Sequence, residues 1–284
     1  MVRGAKVRGV MVRNRFLVGV MAAAVVSGVW LAVESAAAQQ ATAAYRAPRT
    51  PDGKPNLNGI WQTMNTANWN IEAHPAGPSP ARELGASGAV PAGLGVVEGG
   101  EIPYLPEARK KRDANYASRL KLDPEIKCYL PGVPRSTYQG MPFQIIQSTK
   151  HIMLIHEFAG AVRTIYMADQ TEAPADSWMG WSNGRWEGES LVVDTKGFND
   201  LSWFDRAGNF HSDALHVVER FTPRSAETIN YEVTIEDPKV FSRPWKMSMP
   251  LYKHVERNAQ ILEFRCVEFV EDLLYGHLRK QPAK

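Results

Sequence analysis

Apolar and polar residues alternate with a period of two through most of the second half of the chain. The pattern is cleanest in Thr228–Glu236. There Ile229, Tyr231, Val233 and Ile235 fall on one side, and Asn230, Glu232, Thr234 and Glu236 on the other. Such alternation marks a half-buried strand. From Phe143 onward it predicts strands over roughly 143–148, 151–158, 161–167, 178–182, 185–195, 214–222, 227–236, 245–253 and 260–270. Turns are expected at Ala159-Gly160, around Pro223 to Ala226, and at Asn183-Gly184, a dipeptide suited to a type I′ hairpin. No segment in this half keeps a helical period. The expected fold is mainly β: an antiparallel up-and-down barrel or strongly curved meander, with a two-sheet sandwich as the alternative.

The first part of the chain has a different texture. Basic residues end at Arg15, an apolar stretch runs from Phe16 to Val33, and Ala36 and Ala38 fit the small-x-small rule of a signal-peptidase site. Residues 1–38 are therefore read as a signal peptide, with translation starting at Met1 or Met11 and the mature protein periplasmic or secreted. The apolar stretch is also long enough to span a bilayer, so a retained anchor is the alternative. No other stretch is, and no stable membrane insertion is expected after cleavage. Residues 39–119 read as an irregular arm. Pro51 to Trp61 looks like turn residues running into an apolar tether, 75–100 like a flexible loop, and 106 to about 120 like one short helix with Pro at its first turn and a basic face. Residues 120–284 form the expected barrel-like domain. Its opening segment, Asp123–Arg135, is too rich in proline for regular structure and is expected to cross one end of the domain.

Charge narrows the partners. Setting aside residues 1–38, which hold five of the 33 basic residues and one of the 30 acidic ones, leaves 28 against 29. A near-neutral remainder gives no support for nucleic acid, because phosphate binding needs a basic surface. Cys128 and Cys266 are the two cysteines of the chain. An even count in an oxidising compartment predicts a disulfide between them.

The runs SNGRWEGESLVVDTKGF, HSDALHVVERF, YEVTIEDP, DPEIKCYLPGVPR and TPDGKPNLNGIW resemble a widespread family of exported, uncharacterised bacterial proteins. The resemblance implies export and carries no activity. The GRWEGESLVV hairpin is also similar in pattern to strand pairs of calycin barrels, the architecture of lipocalins.

Candidate chemistry comes from the strand faces. Glu219 shares an apolar row with Leu215, Val217 and Phe221, and Glu268 shares one with Leu262, Phe264 and Cys266. A carboxylate among apolar neighbours must be paired or protonated. Arg135, Arg163 and Arg220 are the available partners, so structural ion pairs and acid–base chemistry are both open. The catalytic reading takes Glu219 as the proton carrier, Arg163 as its partner, and His211 and Asp213 at the barrel mouth. Glu157 is a further candidate. Trp181, Trp186, Trp203 and Tyr166, with Arg135, are expected to line a site for a small apolar or aromatic molecule under a lid formed by 196–213.

Other motifs fall away. Gly180–Gly184 matches G-x-S-x-G, but a nucleophile elbow needs a helix after the turn, and a strand is expected there. His211, Asp213 and His216 suggest a metal, yet in a strand His216 points away from the other two. No metal is expected. No nucleotide fingerprint is present, and no cofactor is expected. The functions left are a metal-free acid–base enzyme (hydrolase, lyase or isomerase), a non-catalytic carrier, or an envelope-associated structural protein.

Overall fold

The alternating segments become strands because a period of two puts every second side chain on the same side of a sheet. In the computed structural model, which describes residues 45–80, 85–86 and 88–268, nine strands close into a barrel. They are β1 Gly59–Thr63, β2 Phe143–Gln147, β3 His151–His156, β4 Val162–Tyr166, β5 Trp181–Glu187, β6 Ser190–Lys196, β7 His216–Pro223, β8 Thr228–Glu236 and β9 Trp245–Lys253. Neighbours in sequence are neighbours in the sheet, and β1 closes the ring against β9, with Trp61 opposite Lys253. The interior is filled by the inward rows: Val217 and Phe221 from β7, Ile229, Val233 and Ile235 from β8, and Met247, Met249 and Leu251 from β9. Two short helices, α1 Pro106–Ala117 and α2 Arg119–Leu122, lie in the long insertion between β1 and β2.

Four details differ from the reading of the sequence. The closing strand is Gly59–Thr63, expected as a tether. Its Ile60, Trp61 and Thr63 are buried, and Trp61 Nε1 donates to the Leu57 carbonyl at 2.9 Å. Residues 260–268, expected as the last strand, carry no strand, and 269–270 lie outside the described residues. Leu262 and Val267 are exposed there. The alternation is present, but β1 already occupies the edge that such a strand would need.

Next, the Asn183-Gly184 turn is absent. Both residues sit inside β5, and the turn falls at Gly188-Glu189, where Gly188 has φ of 59°. Gly184 serves close approach instead of a turn, because a Cβ there would press on Met167 Sδ and on Ile165 Cγ2. Last, β4 and β5 run parallel, with Ile165 opposite Ser182. Residues 167–180 make the crossover that a parallel pair requires. The other neighbouring pairs are antiparallel.

The connections make the two ends of the barrel unlike. One end carries the short turns at 148–150, 188–189 and 224–227, together with the approach to β1 and the exit of β9. The other end carries the long segments 64–142, 197–215 and 237–244 and is covered by them. Residues 75–100, expected as a flexible loop, are irregular but tied where described. His74 and Gly93 bridge, Glu98 N donates to the Lys246 carbonyl at 2.9 Å, and Ile71 and Val97 are buried. Cys128 and Cys266 form a disulfide with Cα atoms 5.7 Å apart, which ties the chain beyond β9 back to the covered end. Phe264 packs on Phe158 beside it.

Candidate functional site

Arg163 and Glu219 point inward because they occupy apolar rows, Arg163 with Ile165 on β4 and Glu219 with Val217 and Phe221 on β7. Two strands separate β4 from β7 in the sheet, so the pair joins across the interior. Arg163 Nη1 donates to Glu219 Oε1 at 3.0 Å, and Nη2 donates to Oε2. Arg163 Nε reaches Ser182 Oγ and Nη2 reaches Thr195 Oγ1, each at 2.8 Å. Ser182 and Thr195 are opposite each other in the β5–β6 hairpin, which places both hydroxyls at one guanidinium. Tyr231 OH donates to Glu219 Oε1 at 2.6 Å. Burial, then the Glu219 charge, push the Tyr231 phenol well above its usual range. This is a forked, charge-assisted pair with its remaining groups satisfied. Both carboxylate oxygens are engaged.

His156 also faces inward, at the end of β3, tilted against Phe143 with ring centres 5.3 Å apart. Among the described residues neither ring nitrogen has a hydrogen-bond partner. The Ser136 backbone lies near enough to favour the proton slightly, but not in bonding geometry. Burial, then the Arg163 charge, lower its pKa to about 3, so the ring is neutral.

A second polar cluster holds the covered end. Arg135 Nη1 donates to Asp123 Oδ1 at 2.9 Å, Nη2 to Glu125 Oε2 at 2.6 Å, and Nε to Asn68 Oδ1 at 3.0 Å. Arg206 grips the same Glu125. Burial would raise the Glu125 carboxyl, but the two arginines outweigh it and hold the group below the usual range. Asp205 accepts from the backbone N–H groups of Ile71 and Ala207 at 2.9 Å and from Asn209 Nδ2 at 2.6 Å. Burial nevertheless raises its pKa to about 6.

The residues expected to share one site are dispersed. His211 is buried, not at an open mouth. Its Nδ1 donates to the Ser212 carbonyl at 2.9 Å, its Nε2 accepts from Ser202 Oγ at 2.8 Å, and burial lowers its pKa. Asp213 is exposed and pairs with Lys239 at 2.6 Å. His216 lies on the outer face between Asp194 and Glu236. Among the described residues no group of three or more His, Cys, Asp or Glu side chains is placed to hold a metal ion. Glu157 follows β3 and accepts from the Leu262 N–H at 3.0 Å, outside the barrel interior. Trp181 and Tyr166 stack on each other on the outer face, with ring centres 4.4 Å apart. Trp186 packs against the core from β5, and Trp203 is buried in the cover. Arg135 is committed to Asp123 and Glu125. The 196–213 segment is a packed cover: Phe198, Phe204, Asp205, Asn209 and His211 are all buried.

Space for a guest lies at the opposite end. A cavity of about 160 Å³ opens there between the approach to β1, the β7–β8 turn and the end of β9. Leu57, Trp61, Ile229 and Pro223 give it apolar walls, Tyr45, Ala47 and Pro48 form its outer side, Asn56 and Ser225 add uncharged polar groups, and Lys253 supplies a cation. Glu219 does not line it. Sequence reasoning missed this place because its residues come from four separate segments. The available signal is Asn58-Gly59 just before Ile60 and Trp61, which in sequence looks like the end of a turn.

No protein-family model matches the chain, and a search of curated proteins finds no match. Among the described residues no helix is long and apolar enough to cross a membrane.

Proposed function

We propose that the protein is an exported barrel that binds a small apolar or aromatic molecule in the cavity against Trp61, and that it binds its guest without transforming it. The observation that carries this reading is the cavity itself. Its volume of about 160 Å³ is close to the roughly 150 Å³ of an engineered apolar cavity that takes up benzene, and its lining is mainly apolar, with Asn56, Ser225 and Lys253 among the polar members of a partly open site. A single ring is therefore the natural size of guest. Export is supported by the leader-like pattern of residues 1–38 and by the Cys128–Cys266 disulfide, which suits an oxidising compartment.

Binding is favoured over catalysis because the strongest acid–base candidate is already committed. Glu219 spends both oxygens on Arg163 and Tyr231, away from the cavity. The test is titration of the intact protein with toluene and phenol, followed by tryptophan emission and melting temperature. Saturable changes in both are expected, since a ligand of the native state stabilises it. Ala47→Leu and, separately, Ala226→Leu should weaken them by filling the cavity from its outer side. Absence of saturable binding to the unmodified protein would contradict the reading.

A further inference from the structure

The cavity has one charged wall, Lys253, whose side chain lies beside Gly59 and near the Trp61 ring. Lys253 is the last residue of β9, and its Cα lies opposite Trp61 on β1. Its side chain crosses Gly59, which has φ of 144°. A Cβ at Gly59 would come within 2.6 Å of Lys253 Cε and 3.2 Å of Nζ. Glycine is required there for a backbone angle that side chains rarely adopt, and its bare side leaves room for the flexible end of the lysine. The ammonium is delivered 5.5 Å from the centre of the Trp61 ring. Among the described residues no carboxylate forms an ion pair with it. Lys246 and Lys253 stand on the same strand, but Lys246 is exposed, whereas Lys253 is half-buried against an aromatic wall.

From this geometry we infer that the guest is a single-ring aromatic monocarboxylate, its ring against Trp61, Leu57 and Ile229 and its carboxylate on Lys253 Nζ. The inference rests on the proposed binding at this cavity and adds the chemical class of the guest. A ring is favoured because it fills the volume and apolar walls reward it. A carboxylate is favoured because a half-buried ammonium gains more from an anion than one held fully in water. A second anionic group on the guest would find no second cation in these walls, only the uncharged polar groups of Tyr45, Asn56 and Ser225.

Phenylacetate and its near-isosteric neutral amide, phenylacetamide, separate the two levels of the claim. Titration calorimetry on the intact protein should show phenylacetate binding about tenfold more tightly than the amide, the scale of a hydrogen bond to a charged group. The ratio should shrink with added salt. Lys253→Met keeps the length of the side chain over Gly59 and should bring the ratio close to one, whereas Lys253→Arg should preserve a preference for the acid. Equal affinities in the unmodified protein, or a preference that survives Lys253→Met, would overturn the carboxylate assignment while leaving the cavity as a binding site. Failure of both compounds to bind would overturn the cavity reading and this inference with it.

Discussion

Arg163 and Glu219 meet across the inside of the barrel, from strands separated by two others, with Tyr231 closing on the same carboxylate. A buried ion pair of this kind is weak evidence for net stability but strongly resists losing one member, because the survivor is left as an uncompensated charge. Glu219→Gln or Arg163→Met should each lower the unfolding free energy by about 3–5 kcal/mol in urea titrations. The double replacement Arg163→Met, Glu219→Leu should recover much of that loss. If Glu219→Gln left stability unchanged, the structural account of the pair would be wrong.

Acid should act through His156. The unfolded ring takes a proton near its ordinary value of 6.5, while the folded one waits until about 3. Between those values the unfolded state binds more protons, so stability falls as pH drops through that window. His211, also lowered by burial, adds to the same limb. Asp205 works in the opposite sense. With its pKa raised from 3.8 to about 6, its contribution is greatest in acid and is lost as pH rises through about 6. His156→Phe fits the aromatic contact with Phe143 and removes two unpartnered nitrogens. Denaturant midpoints measured from pH 7 to pH 4 should fall less steeply in that variant than in the parent.

The disulfide joins positions 138 residues apart. The chain-entropy model credits a loop of that length with about 4–5 kcal/mol. Replacing both cysteines by serine should lower stability in that direction, and thiol titration of the denatured, unreduced protein should find no free thiol. Two free thiols would contradict the bridge.

The two glycines of the β5–β6 hairpin should respond differently to substitution. Gly188→Asn places a residue that tolerates a left-handed backbone in an open turn and should cost little. Gly184→Val drives a side chain into Met167 and Ile165 and should cost several times more in the same urea titration. Equal effects would restore the turn to Asn183-Gly184.

Much of this architecture is legible in the chain, and the exceptions have physical causes. Ile229, Tyr231, Val233 and Ile235 reveal the inner face of β8 because each polar neighbour is free to face water. Glu219 is conspicuous for the same reason, as a charge on an apolar row. β1 is hidden because its five residues acquire strand identity only from partners on both sides, β2 beyond a long insertion and β9 at the far end of the barrel. Asn183-Gly184 misleads because a glycine needed for close strand approach looks the same in sequence as one needed for a turn. The tryptophans suggested a shared site, but alternation alone does not distinguish the outer face carrying Trp181 from the cover holding Trp203. Lys253 gives no signal at all. The place proposed for it beside Trp61 depends on the bare side of Gly59, about two-thirds of the chain away.

The most direct test of the account is a crystal structure of the protein grown with phenylacetate. The account predicts the ring between Trp61 and Ile229, the carboxylate on Lys253 Nζ, and Glu219 still joined to Arg163 inside the barrel. A ring found beside Glu219 with the Arg163 contact broken would contradict it and return the interior carboxylate to the centre of the chemistry.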